Sequence, residues 1–173
     1  MLDSGRAGLC GICNGDRHAL VVFNLYGWTG SHDDLEAQGR TADLVRICLA
    51  ELRAHNEHFY IIFTDLTRIP EDISALQEEF DANSLIDVGH PADAWGQVVD
   101  DFTCISPNSS APTRRDFCFC CPNVFNHIVS FHIDHSSRLP VHSVLSLSIT
   151  IPESPLLISK SNGPLSLPLY LID

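Results

Sequence analysis

Basic residues are scarce: 22 Asp and Glu stand against 10 Lys and Arg, for a formal net charge of −12. The surface as a whole therefore has no electrostatic grip on a polyanion, and a phosphate-bearing substrate would need a bound cation to offset the field. The nine His add positive charge only below about pH 6.5. Long hydrophobic runs are missing too. The most apolar stretch, Val141 to Ile151, is interrupted by Ser143, Ser146 and Ser148 and falls well short of the roughly 20 residues of a membrane span. Met1 to Asp16 lacks the basic flank and apolar core of a secretory signal, and the seven Cys are an odd number. We therefore expect an intracellular chain, nuclear or cytoplasmic, with reduced thiols rather than a disulfide framework. Internal repeats are absent.

What is present suits one globular domain, since 173 residues of which 45% are hydrophobic bury a fair core. Phe59 to Phe63 is a run of aromatic and β-branched residues that reads as a strand buried on both faces, ending at Asp65. A carboxylate at the C-terminal end of a strand lies where α/β sheets form their clefts, although Asp is also a common turn residue. Ala19 to Tyr26 reads as a second buried strand, closed by Gly27 and the Thr29-Gly30-Ser31 loop, with Asn24 and Tyr26 on one face. Between the two, Asp33 or Asp34 caps a helix over residues 35–55, whose apolar stripe includes Leu44, Cys48 and Leu52 and whose solvated flank carries Arg40, Arg46 and Arg53. Strand, helix, strand predicts two parallel strands with Tyr26 and Asp65 emerging at one edge.

Downstream, Pro70 opens a helix through Phe80, residues 84–89 suggest a short strand, and 90–112 are loop-like. Three strands follow, over 116–121, 127–133 and 141–151. Residues 1–18 read as an irregular segment, and 152–173, rich in Pro, Leu and Ser, as a loosely docked tail. The cysteines allow a zinc reading: Cys10 and Cys13 have knuckle spacing, with Cys118, Cys120 and Cys121 as further ligands. Strand alternation argues against it, because Cys121 would point away from Cys118 and Cys120. Buried thiols are the competing reading.

The order of these motifs resembles the endonuclease/exonuclease/phosphatase superfamily, and Asn24-Leu25-Tyr26-Gly27-Trp28-Thr29 looks like its retroelement-type endonuclease domains. In that family a strand ending in Asn-x-Tyr precedes a strand ending in Gly-Asp-x-Asn, matched here by Thr64-Asp65-Leu66-Thr67. An Arg-x-Asp follows, matched by Arg114-Arg115-Asp116, and then an Asp-His opening the last strand, matched by His142. The resemblance implies an α/β fold, a partial deoxyribonuclease I-like layered β-sandwich flanked by helices with its N-terminal part missing, over residues 19–151. It implies that Tyr26 and His142 contact the scissile phosphate, Asp65 orients or deprotonates the attacking water, and Asp116 holds the hydrogen-bond network. Asn24, Thr67 and Arg114 would bind substrate. The reaction implied is in-line hydrolysis of a phosphoester, in nucleic acid or another molecule, with Mg²⁺ screening the phosphate.

Four departures stand out. Thr67 replaces the family's Asn, and a hydroxyl has only one donor proton. Val141 replaces the acid before the terminal His, while Asp134-His135 supplies that dipeptide seven residues earlier without a following strand, leaving His135 as the alternative to His142. The family's main metal-ligating Glu has no counterpart, since Asp3 and Asp16 lie on no convincing strand, so the metal ligands are unknown. A sandwich lacking part of one sheet leaves unpaired edges, which predicts a partner chain completing the fold. The expected function is a truncated or degenerate metal-dependent phosphodiesterase. A non-catalytic interaction domain or an unrelated α/β protein is the alternative.

Overall fold

The structure is a computed structural model that describes residues 6–14, 18–30, 33–54, 59–106, 111–136 and 141–150. Its main sheet has five strands in the order β1-β2-β3-β5-β4, formed by β1 (Ala7–Asn14), β2 (His18–Tyr26), β3 (Tyr60–Asp65), β4 (Ile86–Asp87) and β5 (Asp116–Cys120). β2 and β3 are parallel, joined through α1 (Leu35–Ala54), and every other pairing is antiparallel. A second sheet pairs β6 (Ile128–Asp134) with β7 (Val144–Ile149).

Alternation along the central strands divides the core in two. Phe23 and Leu25 of β2, Ile62 of β3 and Phe117 and Phe119 of β5 face Leu44, Val45, Cys48, Leu49 and Leu52 of α1, together with Leu76 of α2 (Ser74–Asp81). Ile61, Cys118 and Cys120 face the other way, against Phe131 and Ile133 of β6 and Val124 of α3 (Pro122–Phe125). The five-stranded sheet is thus the middle layer between helices and the two-stranded sheet, which is why β3 has no polar residue before Thr64. Asp34 caps α1, its Oδ1 accepting the Glu36 N–H at 2.9 Å. Arg40 and Arg46 pair with Glu36 and Asp43 on the exposed flank, whereas Arg53 reaches Glu79 and ties α1 to α2.

Three expectations need correction. Residues 7–14 are not irregular: they form β1, paired with β2 from Ala7↔Leu25 to Asn14↔His18, so the folded unit extends well into the segment expected to precede it. The expected helix from Pro70 to Phe80 is broken at Ile73, whose extended backbone (φ −104, ψ 102) separates a 3-10 turn at Pro70–Asp72 from α2. Ile73 is 1% exposed there, so the break drives a large apolar side chain into the core. Cys121 joins Cys118 and Cys120 in one buried cluster, because β5 ends at Cys120 and Pro122 starts α3, which stops the alternation. The expected tail, 152–173, lies outside the described residues. Among the described residues no helix is long and apolar enough to cross a membrane.

Candidate active site

Backbone pairing builds the site. Tyr26 is the register partner of Asp65, and Asp65 is the register partner of Asp116. Directly opposed residues of neighbouring strands share a face and stand about 5 Å apart. The phenol and two carboxyls therefore form a row across β2, β3 and β5, on the face away from α1 and at the C-terminal ends of the two parallel strands. Gly27 turns the chain out of β2 just beyond. Its N–H donates to the Asp65 carbonyl at 2.9 Å, and a Cβ there would stand 3.1 Å from that oxygen and 3.2 Å from Thr41 Cγ2, so only glycine fits without displacement.

His142 arrives from the second sheet, two residues before β7. Its Nδ1 lies 2.9 Å from Oδ2 of Asp116. Sequence reasoning found no carboxylate to orient this imidazole; Asp116 is that carboxylate. His135 is engaged elsewhere, with Nδ1 2.9 Å from Ser143 Oγ, Nε2 3.0 Å from Asp101 Oδ2, and its ring stacked on Phe102 at 4.4 Å. Of the two candidates, His142 is the one brought to the row.

Asp65 is the strained member. Its Oδ1 is buried without a hydrogen-bond partner. Burial pushes its carboxyl above the ordinary range, the neighbouring Asp116 pushes the same way, and His142 and Arg115 pull less strongly downward. Asp65, Asp116 and His142 offer three ligand atoms within 4.8 Å of one another. With an orphaned buried oxygen among them, these residues fit a divalent cation as a partial ligand set, and the imidazole nitrogen suits Mn²⁺ or Zn²⁺ better than Mg²⁺. No cysteine belongs to a metal-spaced group among the described residues. Burial pushes the Cys118 thiol well up and the Cys120 thiol up to about 12, which opposes the thiolates zinc requires.

The expected substrate contacts divide. Asn24 is exposed on β2, one step along the face from Tyr26. Thr67 donates its hydroxyl proton to the Trp28 carbonyl at 2.9 Å, pinning the loop after β3 to the loop after β2 rather than presenting a donor to a phosphate. Arg114 is enclosed rather than open to a substrate. Its guanidinium lies 2.5 Å from Asp87 Oδ1 and 2.6 Å from Asp100 Oδ1, rides 4.6 Å above the Phe117 ring and is only 14% exposed. Sequence reasoning missed Arg6. The Tyr26 N–H donates to its carbonyl at 2.9 Å, extending the row by one strand, and its guanidinium lies 5.1 Å from the Tyr26 ring centroid and 4.7 Å from that of Trp28. Only the hairpin register reveals it, and the Gly-rich segment carries no strand signal of its own.

No family model and no curated protein matches the sequence. Solved structures do match the fold. The endonuclease domain of TRAS1, a telomere-specific non-LTR retrotransposon, superposes with a TM-score of 0.59 at 12% identity over 86% of this chain and 65% of that one. The catalytic domain of Xenopus laevis APE2 gives 0.59 at 16% identity over 87% and 59%, and the 3′ phosphatase NExo from Neisseria, bound to a product DNA hairpin, gives 0.63 at 10% over 84% and 65%. The chain has the endonuclease/exonuclease/phosphatase fold. It spans less than two thirds of the length of each of these structures, between 59% and 65%. A partial layered sandwich flanked by helices agrees with that coverage, and an unrelated α/β fold is set aside.

Proposed function

We propose that the chain carries a degenerate metal-dependent phosphodiesterase domain whose residual site is the Tyr26, Asp65, Asp116 and His142 constellation. The observation that supports this most is the buried, unpartnered oxygen of Asp65 beside an oriented imidazole, an arrangement costly to a purely structural role. Asp65, its proton affinity raised, accepts the proton of an attacking water. Asp116 orients His142 through its Nδ1, and the Tyr26 hydroxyl steadies a phosphate oxygen. A divalent cation, Mg²⁺ in the resemblance, supplies charge neutralisation of the phosphate when bound. Nucleic acid is the proposed substrate.

Degeneracy follows from the spent groups: the Thr67 hydroxyl is given to Trp28 and the Arg114 fork to two carboxylates. Activity is therefore expected to be weak. Nicking of a supercoiled plasmid with Mg²⁺ or Mn²⁺, set against Asp65→Ala, tests the reading. Cleavage by the parent chain and none by Asp65→Ala is expected; equal cleavage by both removes Asp65 from the chemistry.

A further inference from the structure

We propose that Thr103 is a positioning residue for the Asp116–His142 pair, an inference that rests on that pair being the reactive site. Thr103 is fully buried, with 0% exposure, in the loop segment that precedes β5. Its Oγ1 accepts the N–H of Asp116 at 2.8 Å and that of Arg115 at 3.0 Å. Its carbonyl accepts the N–H of Ser143, the residue after His142, at 2.7 Å. Its own N–H donates to the Thr113 carbonyl at 3.0 Å. One residue thus holds the backbone of the carboxylate bearer through its side chain and the neighbour of the imidazole bearer through its main chain. Cys104, the next residue, exchanges backbone hydrogen bonds with Thr113 and stands opposite His142 in the register.

The residue type suits the task. A hydroxyl oxygen has two lone pairs, enough for the two N–H groups at the entry to β5, which would otherwise be orphaned donors. The β-branch stiffens χ1, so the oxygen stays aimed at both. Asp116 belongs to the five-stranded sheet and His142 to the entry of the two-stranded one, so their separation is a distance between two layers. Thr103 is bonded to both sides of it. In the sequence Thr103 falls within the loop-like 90–112, where a threonine carries no signal of this kind.

The test compares Thr103→Val, which keeps the shape and loses the acceptor, with Thr103→Ser, which keeps the acceptor. The full chain is assayed on bis(p-nitrophenyl) phosphate with Mn²⁺, and amide hydrogen exchange is followed at Asp116, Ser143 and, as a remote control, Val45. Thr103→Val is expected to lower kcat about 10–100-fold, the usual cost of losing an orienting partner, with KM unchanged. Exchange should accelerate together at Asp116 and Ser143 and not at Val45. Thr103→Ser is expected to restore both. An unchanged kcat in Thr103→Val, or acceleration at Asp116 without Ser143, overturns the proposal. Should Thr103→Val not fold, a loss of kcat in Thr103→Ser overturns it. If the parent chain hydrolyses no phosphodiester, the hydrolase reading falls separately, and the paired exchange at Asp116 and Ser143 decides whether Thr103 couples the two segments.

Discussion

His142 and Asp116 stand 26 residues apart in the chain and 2.9 Å apart in space. The link joins the two sheets and replaces a support the sequence lacks, since Val141 occupies the place where the resemblance puts an acid. A carboxylate on Nδ1 selects the tautomer and ring orientation of an imidazole. Asp116→Asn keeps the shape and removes the charge. It is expected to lower kcat/KM about 10–100-fold, as loss of an orienting partner does, with little change in Tm; kcat/KM unaffected by the amide would mean that the pairing does not serve the chemistry.

Asp65 carries a second consequence. Its folded carboxyl binds its proton more tightly than an unfolded aspartate. The stability this contributes is present at low pH and is lost as pH rises through the raised folded value, so above that value the ionised group works against the fold. Asp65→Asn is therefore expected to stabilise the protein while abolishing hydrolysis. The gain is read as a rise in Tm of Asp65→Asn over the parent chain. It should shrink as pH falls toward the acid range. The pH–rate profile of the parent chain should show an acid limb above the ordinary carboxylate range; a limb at the usual aspartate value would rule out Asp65 as the base.

Much of this was legible in the sequence, for identifiable reasons. β2, β3 and β5 announce themselves because they are central, so each carries a run of consecutive apolar residues. Tyr26, Asp65 and Asp116 could be placed together because each ends or begins such a strand. β1 could not: its Gly8 and Gly11 weaken local strand preference, and the strand exists through its pairing with β2. With β1 hidden, Arg6 was hidden as well. Arg114 was misread for a different reason. Its neighbours Asp87 and Asp100 lie 27 and 14 residues away, and nothing in the local pattern shows that they enclose it.

That enclosure predicts a stability effect rather than a binding effect. Burial raises the proton affinity of Asp87, and Arg114 is the chief group opposing it. Arg114→Ala leaves the buried Asp87 carboxylate with the Gly89 N–H but without its guanidinium counter-ion, which costs about 3–5 kcal/mol. The loss should ease at low pH, where Asp87 takes up a proton. Gly89→Ala should act on the same lock, since its Cβ would run into the Arg114 guanidinium. Urea denaturation reads both; an Arg114→Ala chain as stable as the parent would mean the pair is idle.

Cation binding can be separated from catalysis by thermal shift. A ligand that binds only the folded state raises Tm as its concentration passes its dissociation constant. Because the local donor set mixes two carboxylates with an imidazole, Mn²⁺ is expected to raise Tm more than Mg²⁺. Asp65→Asn should abolish the shift, while Asp93→Asn, an exposed change outside the site, should leave it intact. Equal shifts in all three chains would assign the cation to the acidic surface at large.

Val141 offers a last test, of strain next to the imidazole. It adopts φ 79, a left-handed conformation that a β-branched side chain occupies only under constraint. The constraint is visible: its carbonyl accepts the Ile105 N–H at 2.9 Å, and the Ser143 N–H two residues on is held by Thr103 at 2.7 Å. Such a residue stores about 1–3 kcal/mol. Glycine adopts the same φ freely but loses a half-buried side chain and gains freedom in the unfolded state. Val141→Gly should consequently be near neutral in stability, whereas a valine of ordinary conformation loses more than about 1 kcal/mol on such a change. A marked loss of Tm in Val141→Gly would show that the backbone at the entry to His142 is not strained.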